Sequence, residues 1–325
     1  MTIDVVEVKR RLQALLNDNN LVNEYIRQYG PTIDIKNIKL VKERKARSTR
    51  AAESGEGNDP VFEIKVTCPV CNQTDIVCYE LRAKSQQILP NKFLVPCYTG
   101  AMGYRTVDYT MLSVTVCPRC LFASPDKKDF IRPNPSGPGE AKSQLMSNLI
   151  MTLQERIGER RALLKYIQDY KTYFSRPRTE DAGIASYRLA MARANVEAWY
   201  EQPYSFYKLG SYCLRIAKII KDGGGDNREM LRDALAYFKE SFRTSECPSE
   251  EIEMQVIYTI IALCLKMGDQ KQANSYVGVF TNLKNARTAE MKVNPALNTQ
   301  TIERWQEKAR MLWEDRDNPD LFKNE

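Results

Sequence analysis

Four of the nine cysteines lie in two short pairs that share the pattern Cys-Pro-x-Cys. The first pair is Cys68 and Cys71, and the second pair is Cys117 and Cys120. A Cys-x-x-Cys turn lets two sulfurs reach one metal ion at about 2.3 Å, and two such turns complete a tetrahedral zinc shell. The chain contains no histidine, so all four ligands would be thiolates. The sequence therefore predicts one structural Zn²⁺, because four protein ligands leave no coordination position open.

Two alternatives to a zinc site remain open for these cysteines. They could be reduced, buried thiols, or one pair could be a redox-active dithiol, which requires a Cys-x-x-Cys that opens a helix in a βαβ unit. The 45 residues between Cys71 and Cys117 exceed the usual ribbon spacing of about 15–20 residues. An inserted hairpin or loop would account for the excess, because long insertions cost little entropy. Cys78 and Cys97 lie in this insertion, either as free thiols or as ligands of a second metal.

A strand is predicted to lead into each cysteine pair. Apolar and polar side chains alternate over residues 61–67, directly before Cys68, and residues 112–116 repeat that period of two before Cys117. A strand that ends in a Cys-x-x-Cys turn aims the turn at the metal, and backbone N–H groups in the turn point at the sulfurs. The sequence therefore predicts a zinc-ribbon-like β module over residues 59–135.

The composition argues against several classes of enzyme. Without histidine there is no HExxH metalloprotease, no Ser-His-Asp triad and no Cys-His nucleophile pair. The sequence has no GxxxxGK[ST] or GxGxxG phosphate-binding loop, and its glycine run at 223–225 lies between helix-like segments. Acidic pairs such as Glu250 and Glu251 lie at predicted helix ends, where carboxylates complement the helix dipole. We therefore expect a non-enzymatic protein with no small-molecule substrate.

The net charge of +7 comes almost entirely from one short stretch. Residues 1–29 are predicted to form a helical hairpin, and residues 36–50 follow with seven basic residues against one acidic residue. Basic side chains can neutralise nucleic-acid phosphates, so weak RNA binding is the alternative function. The stretch contains no aromatic residue on which bases could stack, which argues against that function. The other interpretation is a solvated linker within an N-terminal segment 1–58. The candidate nucleic-acid-binding residues are Lys36, Lys39, Lys42, Arg44, Lys45, Arg47 and Arg50.

Residues 139–325 are predicted to form a wholly helical domain. Apolar residues recur there at spacings of three and four, first in a long predicted helix over residues 146–174. Gly268 followed by Asp269, with Gln272 three residues later, is typical of one helix ending and the next beginning. Short connections between helices predict antiparallel pairs, so the fold class is mainly α with a small β module. The other predicted helical segments are 184–198, 206–220, 231–242, 252–267, 273–283 and 302–312.

Two of these segments resemble a tetratricopeptide repeat. Residues 206–213 carry Phe-x-x-Leu-Gly-x-x-Cys, close to the pattern of the first repeat helix, with Phe and Cys in place of Trp and Tyr. Ala234 and Phe238, followed by Pro248, resemble the second repeat helix. The resemblance implies a tetratricopeptide-like antiparallel array, whose concave face suits a peptide or a helix of a partner protein.

The chain as a whole resembles an uncharacterised bacterial family that joins a Cys-Pro-x-Cys zinc module to a tetratricopeptide-like helical array. The resemblance covers residues 60–285 and rests on the motifs Cys68-Pro69-Val70-Cys71 and Cys97-Tyr98 and on the segment 114–123. It implies a non-enzymatic scaffold and names no ligand. A glycine commonly follows the second pair in that family, because the turn favours a positive φ. Here Leu121 follows the second pair, and Asn72 follows the first.

We therefore expect a cytoplasmic protein-interaction scaffold that binds a protein partner on its helical array. No apolar run reaches the ~18 residues that a membrane span requires. The uneven distribution of the cysteines suits a reducing compartment better than a disulfide framework. Candidate partner-binding positions are Tyr187, Arg188, Arg193, Asn195 and Tyr207.

Overall fold

The computed structural model describes most of the chain after residue 52. The described residues are 53–54, 57–134, 139–244, 249–294, 296–323 and 325. The predicted helical hairpin 1–29 and the basic stretch 36–50 lie outside them, so both stay predictions.

Two compact units make up the described chain. The first contains the residues up to Gln87 and residues 98–189. The second contains Ile88–Cys97 and Ala190–Glu325, so a short segment between the two cysteine pairs groups with the C-terminal helices. The domain boundaries drawn from the sequence stay a prediction.

The strands of the first unit form short antiparallel pairs. β2 (Val61–Val66) pairs with β3 (Ile76–Leu81), and β7 (Thr115–Val116) pairs with β8 (Ala123–Ser124). The connection within each of these two pairs carries one Cys-Pro-x-Cys turn. The other pairs are β1 (Glu53–Ser54) with β6 (Thr106–Val107) and β9 (Arg132–Pro133) with β10 (Glu140–Ala141).

The two predicted strands before the cysteines differ in outcome. The strand before Cys68 is confirmed over Val61–Val66. The strand predicted over residues 112–116 is too long, because the N–H groups of Leu112 and Ser113 donate to the Tyr109 carbonyl at the end of a 3₁₀ turn over Tyr109–Met111, at 3.0 and 2.9 Å. Only the two residues of β7 remain as strand.

The insertion between the cysteine pairs, expected to be a hairpin or a loop, contains a hairpin formed by β4 (Gln86–Pro90) and β5 (Pro96–Gly100). The Asn91 side chain closes its turn by accepting hydrogen bonds from the N–H groups of Phe93 and Val95, at 3.0 and 2.9 Å. Both of these apolar side chains are buried in the core of the second unit. The long spacing between the cysteine pairs thus contains a hairpin tip that packs with the helices.

The first unit contains three short helices where one long helix was predicted. They are α1 (Ser147–Glu155), α2 (Ile157–Leu163) and α3 (Tyr170–Tyr173), so the continuous helix over residues 146–174 is wrong. α1 buries Leu149 and Leu153, but the buried side chain of α2 is Arg160. The apolar stripe of α1 therefore does not continue along the core-facing side of α2. Asp169 starts α3 by accepting hydrogen bonds at its N-terminus.

All six remaining helical segments are confirmed. Asp269 caps α8 by accepting a hydrogen bond from the Gln272 N–H at 2.9 Å, and Gly268 before it adopts a φ of +80°. The fold class is mainly α, as predicted. Within the described ranges, no helix has both the length and the apolar content for a membrane crossing. The six helices are α4 (Glu180–Trp199), α5 (Ser205–Asp222), α6 (Arg228–Thr244), α7 (Glu250–Lys266), α8 (Gln270–Met291) and α9 (Gln300–Glu314).

The core of the second unit is built around α7. This helix contacts α6, α8 and α9, and every residue from Val256 to Cys264 is buried. A helix that is apolar on all sides is buried on all sides. The stripe predicted over residues 252–267 is therefore too narrow, because α7 presents more than one face to its neighbours.

One close contact between helices of the second unit involves positions of the tetratricopeptide-like pattern. Gly210 on α5 faces the ring of Phe238 on α6, and a Cβ at Gly210 would lie 2.9 Å from a ring carbon. Ala234 on α6 is also fully buried. Small residues at these positions allow α5 and α6 to approach closely.

Candidate metal centre

The two Cys-Pro-x-Cys segments fold into turns with the same hydrogen bonds. In the first turn, Cys68 N–H donates to the Gln73 carbonyl and Asn72 N–H donates to the Cys68 carbonyl, both at 2.9 Å. In the second turn, Cys117 N–H donates to the Phe122 carbonyl at 2.8 Å and Leu121 N–H donates to the Cys117 carbonyl at 2.9 Å. The matching bonds give the two pairs one common geometry.

Both turns end on a residue with a positive φ. Asn72 adopts +56° and Leu121 adopts +58°. This conformation costs a residue with a Cβ roughly 1–2 kcal/mol, and asparagine tolerates it better than leucine. The fully buried Leu121 side chain offsets that cost through packing. The second turn therefore keeps its shape although leucine occupies the position where a glycine was expected.

The four sulfurs converge on one point. The Sγ atoms of Cys68, Cys71, Cys117 and Cys120 all lie within 4.8 Å of one another. Cys68 Sγ lies 3.6 Å from Cys120 Sγ, and Cys71 Sγ lies 3.5 Å from Cys117 Sγ. Metal–sulfur bonds of about 2.3 Å in a tetrahedron place neighbouring sulfurs about 3.8 Å apart, so the cluster fits a four-thiolate metal shell.

Ionising all four thiols without a cation is unfavourable, because like charges would then lie within 4.8 Å of one another. Hydrogen bonds with Cys117 and Cys120, together with burial, hold the pKa of Cys68 well above its ordinary value. A hydrogen bond with Cys120 likewise contributes to raising the pKa of Cys117 to about 12. A divalent cation would replace the shared protons, and metal binding would release them to solvent. The donor set therefore favours a soft metal that binds thiolates.

Side chains from the following helices hold both cysteine turns. Gln154 Nε2 on α1 donates to the carbonyl of Val70 at 2.6 Å, inside the first turn. Arg160 Nε on α2 donates to the carbonyl of Cys120 at 3.0 Å, at the end of the second pair. No motif in the sequence marks these two residues, because each looks like an ordinary polar position of a helix.

The other two cysteines of the insertion lie outside the cluster. Cys78 is buried on β3, where burial raises the pKa of its thiol. Cys97 lies on β5 and is half-buried. Within the described residues, the only cluster of potential metal ligands is that of Cys68, Cys71, Cys117 and Cys120.

The structure also places the candidate partner-binding residues of α4 and α5. Tyr187 is buried, and its hydroxyl bonds to Ser113 Oγ at 2.7 Å. Arg193 is buried against Glu197, so neither Tyr187 nor Arg193 can contact a partner. The exposed candidates are Arg188 and Asn195, and Tyr207 is half-buried.

Comparison with known families now identifies the chain. A family model described as an uncharacterised protein conserved in bacteria (DUF2225) matches residues 61–308. The chain belongs to this family. The DUF2225 match begins at β2, just before the first cysteine pair, and reaches into α9, so it includes all four clustered cysteines. No curated protein and no solved structure matches the chain.

Proposed function

We propose that this DUF2225 protein is a non-enzymatic protein-interaction scaffold whose first unit is held together by one structural Zn²⁺. The observation that supports the metal is the convergence of four sulfurs from two turns of matching geometry. Four thiolates saturate a tetrahedral zinc ion, so no position remains for a substrate or an activated water. The metal would stabilise the fold and take no part in a reaction.

Zinc suits the donor set and the redox state of the cysteines. Cys68, Cys71, Cys117 and Cys120 form no disulfide in the structure. Free thiols persist in a reducing compartment such as the cytoplasm, where thiolate clusters hold metals. Four thiolates also bind iron, so elemental analysis must establish the metal.

The scaffold role is supported by an exposed tryptophan at the end of α4. Trp199 is 64% exposed and stacks on the half-buried Tyr200, with ring centroids 5.7 Å apart. Large exposed aromatic side chains are enriched at protein–protein interfaces, where they supply contact area at low entropic cost. We therefore expect a protein partner to bind at this end of the helix.

A capture experiment with the full chain tests the scaffold role. The unaltered chain should recover one protein in a fixed ratio, and Trp199→Ala should abolish the recovery without lowering thermal stability. Tyr166→Ala is the matched control, because Tyr166 is a similarly exposed aromatic residue in the first unit. Equal loss in both variants, or recovery that Trp199→Ala does not affect, would contradict the proposed surface.

RNA binding is the competing result in the same experiment. If the chain binds single-stranded RNA tightly at physiological salt, and charge-neutral replacement of residues 36–50 abolishes that binding, the scaffold role is wrong. Binding through basic residues must weaken steeply with salt, because each neutralised phosphate releases counterions. The scaffold role predicts no RNA binding that depends on these residues.

A further inference from the structure

A buried arginine lies directly beside the second cysteine turn. Arg160 is 2% exposed, and its Nε donates to the Cys120 carbonyl at 3.0 Å. Its Nη2 donates to the Leu153 carbonyl at 2.6 Å, and its Nη1 donates to the Arg156 carbonyl at 3.4 Å. These bonds fix the guanidinium group between α1, α2 and the second turn, all within the first unit.

The positive charge of Arg160 has no carboxylate partner in the described part of the chain. The buried Arg193 of the second unit differs, because its Nε and Nη2 bond to Glu197 at 2.9 and 2.5 Å. Carbonyl groups satisfy the N–H donors of Arg160 but supply only dipoles. Carbonyl acceptors can hold a buried guanidinium group, as they hold Arg178 in the same unit, but a neighbouring anionic group would stabilise the charge of Arg160 further.

Cysteines that bind a divalent metal would supply such a group. Four thiolates around a divalent cation leave an excess of two negative charges, which also need compensation in a buried site. The hydrogen bond from Arg160 Nε to the Cys120 carbonyl places the guanidinium group beside one of the four ligands, so the two opposite charges would stabilise each other.

We propose that Arg160 is the counter-charge of the metal centre and the residue that positions its second turn. Its charge stabilises the four-thiolate cluster, and its hydrogen bond to the Cys120 carbonyl orients the turn. The inference rests on the metal centre proposed above, and it assigns a residue outside the cysteine motifs to metal binding. It also accounts for an arginine, rather than an apolar residue, on the inward face of α2.

Two substitutions of Arg160 and one matched control separate charge from packing. Arg160→Gln removes the charge and keeps a hydrogen-bond donor, whereas Arg160→Lys keeps the charge. Arg178→Gln is the control, because Arg178 is also 2% exposed in the first unit and donates to backbone carbonyls. Its acceptors are the carbonyl oxygens of Phe174, Met111 and Val114, none of which belongs to a cysteine pair.

Two quantities are measured on the full chain. The first is the zinc dissociation constant, from competition with a chelator. The second is the pH midpoint, at which half of the Co²⁺–thiolate absorption is lost. Arg160→Gln should weaken zinc binding about 10–100-fold, the range found for residues that support metal ligands. The same variant should lose Co²⁺ at a higher pH, because the thiolates lose a neighbouring cation. Arg160→Lys should keep the unaltered midpoint, and Arg178→Gln should lower thermal stability without changing either readout.

Three results would overturn the inference. They are unaltered zinc affinity and pH midpoint in Arg160→Gln, an equal loss of affinity in Arg178→Gln, and a shifted midpoint in Arg160→Lys. If Arg160→Gln does not fold, Arg160→Met, which keeps an unbranched side chain without the charge, takes its place in both readouts. Failure of the unaltered chain to bind Zn²⁺ or Co²⁺ would instead refute the proposed metal centre, so the two failures are distinguishable.

Discussion

Replacing Cys71 by serine should remove the metal and destabilise the first unit. Cys71 is the least buried of the four clustered cysteines, so a hydroxyl there disturbs the packing least and the loss of a ligand dominates. Structural zinc contributes about 10–16 kcal/mol in small zinc-binding peptides, and that whole contribution is lost when the metal is lost. A loss of that size is comparable to the total stability of a typical domain, so the first unit should melt at least about 20 °C lower, at about 2 °C per kcal/mol.

Calorimetry with and without a chelator is the assay for this variant. The unaltered chain should melt at a lower temperature when chelator is present, whereas Cys71→Ser should already melt there and respond no further. Cys78→Ala is the matched control, since Cys78 is buried on β3 outside the cluster. It should retain the metal and the chelator response. Full metal content in Cys71→Ser, with a melting temperature near that of the unaltered chain, would refute the reasoning.

Two further predictions concern the second unit. Gly210→Ala should destabilise by about 1–3 kcal/mol, because its Cβ would lie 2.9 Å from a phenylalanine ring of α6. Gly278→Ala, at a helical glycine of α8 with no neighbour within 4 Å, should stabilise the protein by about 0.5–1 kcal/mol. Equal denaturant midpoints for Gly210→Ala and Gly278→Ala would contradict the close packing at Gly210. Burial raises the pKa of Glu197, but the positive charges of Arg193 and Lys208 outweigh burial and hold that pKa below its ordinary value. The stabilisation that ionised Glu197 contributes to the fold is therefore present at neutral pH and lost in acid. Glu197→Gln should therefore lower stability at neutral pH and flatten its acid dependence, and an unchanged pH profile of the denaturant midpoint would contradict this.

The metal ligands could be predicted from the sequence because their chemistry is local. Two cysteines three positions apart in a turn already point in one direction, and the alternation over residues 61–66 gives the first turn its strand. The helices α4 to α9 were predictable for a similar reason, since each carries apolar residues at helical spacing. Local spacing thus determined both the cluster and the array of helices.

Interactions between distant residues that no sequence motif marks could not be predicted. In the sequence, Arg160 looks like any exposed arginine of a helix. In the fold, its side chain packs inward beside Cys120. The division of the long helix predicted over residues 146–174 was not predictable either, and the buried residue of α2 is Arg160 rather than an apolar side chain. The hairpin tip with Phe93 and Val95 also packs with helices that follow much later in the chain. None of these contacts leaves a periodic signal in the sequence.

The most direct measurement of the central claim is the metal content of the chain purified without chelators. Elemental analysis by mass spectrometry should find one zinc per chain, and loss of that zinc should accompany any substitution of Cys68, Cys71, Cys117 or Cys120. A purified, folded chain that contains no metal, or whose zinc survives substitution of these cysteines, would contradict the structural zinc centre.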